Sequence, residues 1–401
     1  MGRVLKVLGI VFSGILLLLI MAAGILWWWS GTQHSLDWTL ERVARSQKLD
    51  AAGVQGSLRE GLNAQRIRWE GEGLTVEVGD AELAWNPWAI VRGTIQLQRL
   101  HAARLRIEDR RPPQPKAVPT DLALPLRVEI EDAKVGRLQW VTPERDVEAR
   151  DIAGSYAYNT LSHKVKLSSL QWMGGTYAGE AAIGAGGTMD VDAKLQGRFA
   201  ASVPGTKASA PLSFTATIEG KLVEMQARVQ AQGEPNSPVA GTSLQATARI
   251  TPWADQPLPE ANAEFQRLDV GALWEQAPNT ALSGRLQVQP AGTGTWAIGV
   301  DATNAAPGPW DQDKLPVAQL TAAGEWRAAG MAVVRELRAR AGGGTIAASG
   351  EWRQAGEWAI DGEVAGVDPG ALYTQFAHLP VSGTVKVGGD GKGVDLSLIH
   401  I

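Results

Sequence analysis

The sequence predicts a mainly β chain: a single N-terminal transmembrane helix followed by an elongated, repetitive, curled β-sheet. Three observations carry this. Residues 7–29 form an almost unbroken apolar run, period-two alternation dominates from about residue 70 onward, and one stretch of the sequence recurs in the same register.

The apolar run is preceded by Arg3 and Lys6 and interrupted only by Ser13 and small residues. A helix needs roughly 20 such residues to cross a bilayer. The basic residues place its amino-terminal end in the cytoplasm and export the remainder. Trp27, Trp28 and Trp29 then fall at the far headgroup layer, where indole rings are favoured. Ala22-Ala23-Gly24 also offers a signal-peptide cleavage site, but cleavage would leave the tryptophans on the surface of a soluble protein. The balance favours an uncleaved anchor over residues 1–30, with the bulk of the chain exported to the far side of the membrane.

Composition narrows the function classes. The net charge of −4 over 401 residues lacks the basic footprint of a nucleic-acid binder. With no cysteine, disulfides, thiol nucleophiles and cysteine-ligated metals are excluded together. Sixteen tryptophans against four tyrosines and five phenylalanines is an unusual balance, which codon bias in a GC-rich gene also explains.

Residues 31–109 read as a short helix and a first β module. Ser35 is a candidate cap for a helix through about Lys48, with Leu36, Leu40 and Val43 on one face. Val76 and Val78 then alternate with Thr75 and Glu77, and Leu83 and Trp85 with Glu82 and Ala84. Ile95 and Leu97 alternate with Gln96 and Gln98, and Leu105 and Ile107 with Arg104 and Arg106. This is the pattern of strands with one dry and one wet face. Asn86-Pro87 interrupts it with room for one helical turn. Residues 110–125 carry five prolines, which cannot donate to a ladder, and read as a semi-rigid extended connector. Residues 126–395 return to alternating strands. Within them the stretch 268–288 recurs as 367–387: Leu-Asp-Val-Gly-Ala-Leu is matched by Val-Asp-Pro-Gly-Ala-Leu, and the register holds through Ser283-Gly284 and Ser382-Gly383. Self-similarity of this kind predicts a stacked array. The ending 396–401, Leu-Ser-Leu-Ile-His-Ile, reads as a sequencing or cloning scar, a natural short strand being the alternative.

Signals for chemistry are missing. The five histidines stand at no metal-ligand spacing, and neither a nucleophile elbow nor a phosphate-binding loop occurs. Carboxylate pairs such as Glu129 and Glu131, or Asp190 and Asp192, lie at strand spacing on a polar face. The expectation is a protein that is not an enzyme, with no catalytic, metal or cofactor residues. Its apolar face is either ordinary core in a closed barrel or sandwich, or the lining of an open trough large enough for acyl chains; periodicity alone does not separate these.

The ordered series Gly56-Ser57-Leu58-Arg59-Glu60-Gly61-Leu62, Ile67-Arg68-Trp69, Leu74-Thr75-Val76-Glu77-Val78, Leu83-Ala84-Trp85-Asn86-Pro87, Arg92-Gly93-Thr94-Ile95 and Leu105-Arg106-Ile107 resembles the amino-terminal region of the TamB family, in the AsmA-like group. The resemblance covers about residues 1–110. It implies an inner-membrane-anchored bridge carrying phospholipids along an apolar β groove towards the outer membrane, linked to outer-membrane protein assembly. It also implies a TamA-like outer-membrane barrel as partner, met through a carboxy-terminal region that this sequence lacks. On this reading Val76, Val78, Leu83, Trp85, Ile95, Leu97, Leu105 and Ile107 line the groove. The alternatives are a scaffold for outer-membrane protein insertion that conducts no lipid, and another AsmA-like lipid carrier.

Overall fold

A computed structural model describes the chain except for residues 1–20, 22–23, 113–116, 144, 203–208, 238, 272–276, 355, 391–393 and 401. The predicted membrane-spanning run lies largely outside the described residues. Among the described residues no helix is long and apolar enough to cross a membrane. The chain divides into two units, one of residues 1–115 and 121–187, the other of 116–120 and 188–401.

In the first unit, residues 24–30 are helical and lead into α1 (Gln33–Gln47). The cap position is Thr32, whose side chain makes no capping bond. Ser35 is instead inside the helix and fully buried; its hydroxyl donates to the Thr32 carbonyl (2.7 Å) and accepts from the Leu58 amide (3.5 Å). A hydroxyl buried this way ties α1 to the strand region, which explains why it is not spent on a cap. The helix ends at Lys48, in the left-handed region at φ 50°.

Strands β1 (Leu49–Ala52) and β2 (Gln55–Ser57) both pair with β3 (Gly61–Glu70). The sheet continues through β4 (Leu74–Trp85), β5 (Thr94–Asp109), β6 (Arg127–Val141), β7 (Asp146–Tyr158), β8 (Ser162–Trp172) and β9 (Gly175–Gly184). The turn predicted at Asn86-Pro87 is the short helix α2 (Pro87–Val91), with Asn86 as its cap. Each neighbouring pair is antiparallel except β5 and β6, which run parallel from Thr94 opposite Arg127 to Glu108 opposite Val141. A parallel pair requires the chain to return to its starting rim. That return is about 50 Å at the roughly 3.3 Å rise of a strand residue. Segment 110–126 reaches about 55 Å at the roughly 3.1 Å rise of polyproline II. Its prolines suit a span with so little slack.

The second unit is a meander of consecutive antiparallel strands: β10 (Asp190–Ser202), β11 (Ser209–Lys221), β12 (Glu224–Gly233), β13 (Ser243–Ile250), β14 (Glu260–Leu268), β15 (Leu282–Pro290), β16 (Thr295–Asn304), β17 (Val317–Arg327), β18 (Met331–Ala341), β19 (Gly344–Arg353), β20 (Trp358–Val367), β21 (Val381–Gly389) and β22 (Val394–His400). Among the described residues, the two copies of the repeated stretch share two local features. A bulge precedes the pairs Leu268–Leu282 and Val367–Val381. Beyond each, an aspartate accepts the amide of the second following residue, Asp269 from Gly271 (3.1 Å) and Asp368 from Gly370 (2.9 Å). In the second copy this caps the single turn α3 (Pro369–Leu372).

In neither unit does a described pairing join the first strand to the last, so neither sheet closes on itself. Yet burial alternates along strands such as β12 and β19, although among the described residues of the second unit no helix is longer than a single turn. A single sheet shields one face without a second layer only by curling over it.

Candidate functional site

Residues paired across a ladder share a face, so the registers decide what lines the concave side. In the first unit Val76 stands opposite Ile107 and Val78 opposite Leu105, while Ile107 and Leu105 stand opposite Trp140 and Leu138. Leu83 faces Leu100, Trp85 faces Leu97, and Leu97 and Ile95 face Ile130 and Val128. All eight residues named from the sequence are half-buried.

Strict alternation would place Val78 and Leu83, five positions apart, on opposite faces. A crease resolves this. The ladder bridges lapse along one line, Gln65, Asp80, Ala103, Gly136 and Asp151, in five successive strands. Asp80 and Asp151 there adopt positive φ (51° and 48°). Gly79 pairs with Arg104, and the Asp80 carboxylate accepts from the same Arg104 (3.3 Å). Two consecutive residues thus face the charged side, and the alternation restarts with its phase shifted. Gly136 suits the line because a Cβ there would lie 2.8 Å from the Ala103 carbonyl. Register shifts at Ala84/Trp85 and Ile130/Ala133 repeat the device nearer the rim. The outcome is one continuous apolar face.

The convex side is correspondingly ionic. Arg106 pairs with Glu108 (2.6 Å), Arg150 with Glu148 (2.7 Å), Lys134 and His101 with Asp132 (both 2.8 Å), and Arg99 with Glu82. Hydrogen bonds from Lys134 and then His101 hold the Asp132 carboxyl below its ordinary range, as Arg150 does for Glu148. Exposed pairs of this kind add little stability; they keep that face wet and decide which face is dry.

In the second unit one row crosses from β10 to β21 without a polar member: Leu195, Ala216, Val229, Ala246, Ala263, Leu286, Val300, Ala322, Leu337, Ala348, Gly362 and Val385. At roughly 4.8 Å per strand the row is about 53 Å long. An acyl tail spans about 15 Å, half of a bilayer's hydrocarbon core. The row is a track several tails long, and no single-lipid pocket.

This lining is not packed as a core. Trp140 retains 47% of its exposure, Ile360 44%, Trp352 41% and Leu195 36%, where interior side chains are filled to crystal-like density. One place in the first unit is filled. The Leu122 carbonyl meets Nε2 of His163 (2.8 Å), and the Leu122 amide donates to Ala185 (2.8 Å). The other ring nitrogen of His163 bonds the Tyr156 hydroxyl (2.8 Å), and its ring stacks on Tyr158, which is 2% exposed. Burial pushes the Tyr156 phenol up. The connector's far end is therefore pinned across the groove face. Nothing in the sequence marks His163 for this role, because its partners lie on another strand and on a loop 41 positions away.

Among the described residues no cluster of His, Asp and Glu is placed to hold a metal. Trp27 packs against Trp88 in a tilted pair with ring centroids 4.7 Å apart, Trp28 is 71% exposed, and Trp29 lies edge-on to Trp38 at 5.9 Å. Trp88 itself, with Ile90 and Val91, was not foreseen as part of any site.

An unclosed sheet with an apolar lined face and an ionic back defines a groove-forming, bridge-like β protein. Residues 21–186 match the family model described as TamB, N-terminal domain, which places the amino-terminal portion of the chain in the TamB family. The matched stretch ends one residue short of the first unit's boundary. No curated protein and no solved structure matches the chain.

Proposed function

We propose that the protein is a bridge anchored in the bacterial inner membrane, its bulk in the periplasm, that carries phospholipids along the apolar groove towards the outer membrane. Linkage to outer-membrane protein assembly, through a TamA-like barrel, belongs to the same reading. The observation that carries it is the half-exposed, uninterrupted apolar face in a sheet that does not close. Water against such a surface is displaced favourably by methylene groups, at up to about 0.8 kcal/mol per CH₂ fully buried, while headgroups stay at the open side. Passage along such a surface needs no catalytic residue and no cofactor.

Site-specific photocross-linking in cells tests this. Probes at Leu105 and Val229 should yield phospholipid adducts, and probes at Arg106 and Gln230, on the opposite face, should not. Protein adducts alone at Leu105 and Val229, in a folded and protease-resistant chain, would replace the carrier with an assembly scaffold that uses sheet edges for strand addition.

A further inference from the structure

We propose that α2 and the helical residues 24–30 together form a bilayer-seated entry port through which acyl chains reach the groove; this rests on the anchored-carrier reading above. α2 is built inside out. Its buried residue is Ala89, 2% exposed, while Trp88 is 59%, Ile90 44% and Val91 79% exposed. A water-facing helix buries its large apolar residues and shows its small ones. Here the order is reversed, which suits a surrounding that is not water.

The exposed surface extends onto a second stretch of chain. Trp27 packs against Trp88 in a tilted pair, and next to it Ile25 and Leu26 are each 62% exposed. The Arg59 guanidinium sits 5.2 Å from the Trp27 ring centroid, and the Arg59 amide donates to Ser30 (3.0 Å). Indole rings with an arginine over them fit the headgroup layer, where the ring is half in hydrocarbon and the cation stays wet. The occupant follows from continuity. Residues 24–30 prolong the apolar run 7–23, so the medium that receives this run also meets Trp88.

α2 is fixed to the groove rather than tethered near it. The Asn86 side chain accepts from the Trp88 amide (3.2 Å) and donates to Gln96 Oε1 (3.0 Å), and the Asn86 amide donates to the Gln96 carbonyl (2.9 Å). Gln96 in turn donates to Glu131 (2.7 Å), and the Arg127 amide to Gly93 (3.1 Å). These bonds join α2 to the starts of β5 and β6. Trp85 and Ile95, which flank α2 in sequence, are groove-lining residues on β4 and β5. The port therefore opens on the groove's own rim.

Because the chain has no cysteine, a single Val91→Cys variant of the full chain takes one environment-sensitive fluorophore. Met173→Cys, at a position 80% exposed in the same unit, is the reference. In phosphatidylethanolamine–phosphatidylglycerol vesicles the probe at position 91 should emit to the blue of the probe at 173, and spin-labelled lipid should quench it severalfold more. Equal quenching of both by aqueous iodide, and of neither by lipid, overturns the port. A second variant, Trp88→Ser with Ile90→Ser and Val91→Ser, should cut phospholipid adducts at a Leu105 probe severalfold with membrane retention and protease resistance unchanged. Undiminished adducts also overturn the port. Absence of adducts at Leu105 in the unsubstituted chain would sink the carrier reading itself, an outcome the position-91 signal does not share.

Discussion

The two units solve the same problem with different means. Both keep one face of a single sheet apolar and leave it unclosed. The first bends its strands at an internal crease, shifts phase there, and lines the concave side with Trp69, Trp85, Trp140, leucine and isoleucine. The second keeps parity along most strands, confines its shifts to isolated bulges such as Val334/Leu337, and uses mainly alanine, valine and leucine in its row. Bulky rings stand in the first lining and mostly smaller side chains in the row of the second, and in neither are they packed as a core. What is shared, an apolar phase in register across every strand, is the property under constraint.

The strongest break with this view would come from a charge placed in either lining. Leu105→Asp in the first unit and Val229→Asp in the second should each abolish lipid adducts at a neighbouring lining probe, with protease resistance retained. A closed core would unfold instead, since an unpaired carboxylate buried in apolar surroundings costs several kcal/mol or is forced neutral. Adducts that persist in one unit only would show that the two linings do different work.

The crease gives the next largest effect. Asp80→Val sets a β-branched residue at positive φ, at a cost of about 1–3 kcal/mol to the first unit. Asp80→Gly and Asp80→Asn, which tolerate that conformation, should stay close to the parent. Thr247→Val, on the convex side of an uncreased strand, should change stability by less than about 0.5 kcal/mol. Denaturant titration followed by proteolysis reads all four. Trp140→Ala should cost about 1 kcal/mol, against the 3–5 kcal/mol typical of a buried tryptophan, because nearly half of the ring is already solvated. A larger loss would mean that the groove closes over it.

The smallest effect concerns a rim of the second unit. Hydrogen bonding from His378, with help from the Gly370 amide, lowers the Asp368 carboxyl below its ordinary value. A depressed folded-state value means stabilisation that is complete above the unfolded carboxylate range and lost as the pH falls through the folded one. Protection factors of the amides around α3, with the intrinsic exchange rate divided out, should therefore be flat near neutrality and fall only in acid, below about pH 4. Asp368→Asn should remove that dependence.

Much of the architecture was legible beforehand. Alternation identified the strands, Asn86-Pro87 the helical turn, and the recurrence of Leu-Asp-Val-Gly the shared capped loop. The phase shift was also present, since Val76 and Val78 occupy even positions and Leu83 and Trp85 odd ones. Nothing local in the chain shows that Asp80 turns the strand over, because an aspartate in an alternating strand reads simply as a wet residue. The parallel pairing of β5 and β6 was hidden for a similar reason: a proline-rich stretch announces a connector and its reach, but not the rim to which it returns. The port escaped notice because helical periodicity presumes water outside, and α2 has its large residues outward. His163 illustrates the remaining gap, a bond set by tertiary placement with no sequence neighbour to signal it.

The parallel pair has a consequence for how the chain acquires its structure. The other described ladders set out above are antiparallel, so each such strand turns back on an edge close to it in sequence. The β5–β6 ladder forms only after the segment 110–126 has been carried back along the whole strand, and loop closure must precede any contact that rewards it. A chain emerging amino terminus first would therefore meet its slowest step early. The hairpins from β10 onward need no such return, and pulse-labelled amide exchange during refolding should find β6 protected after β11 and β12, against the order of the sequence.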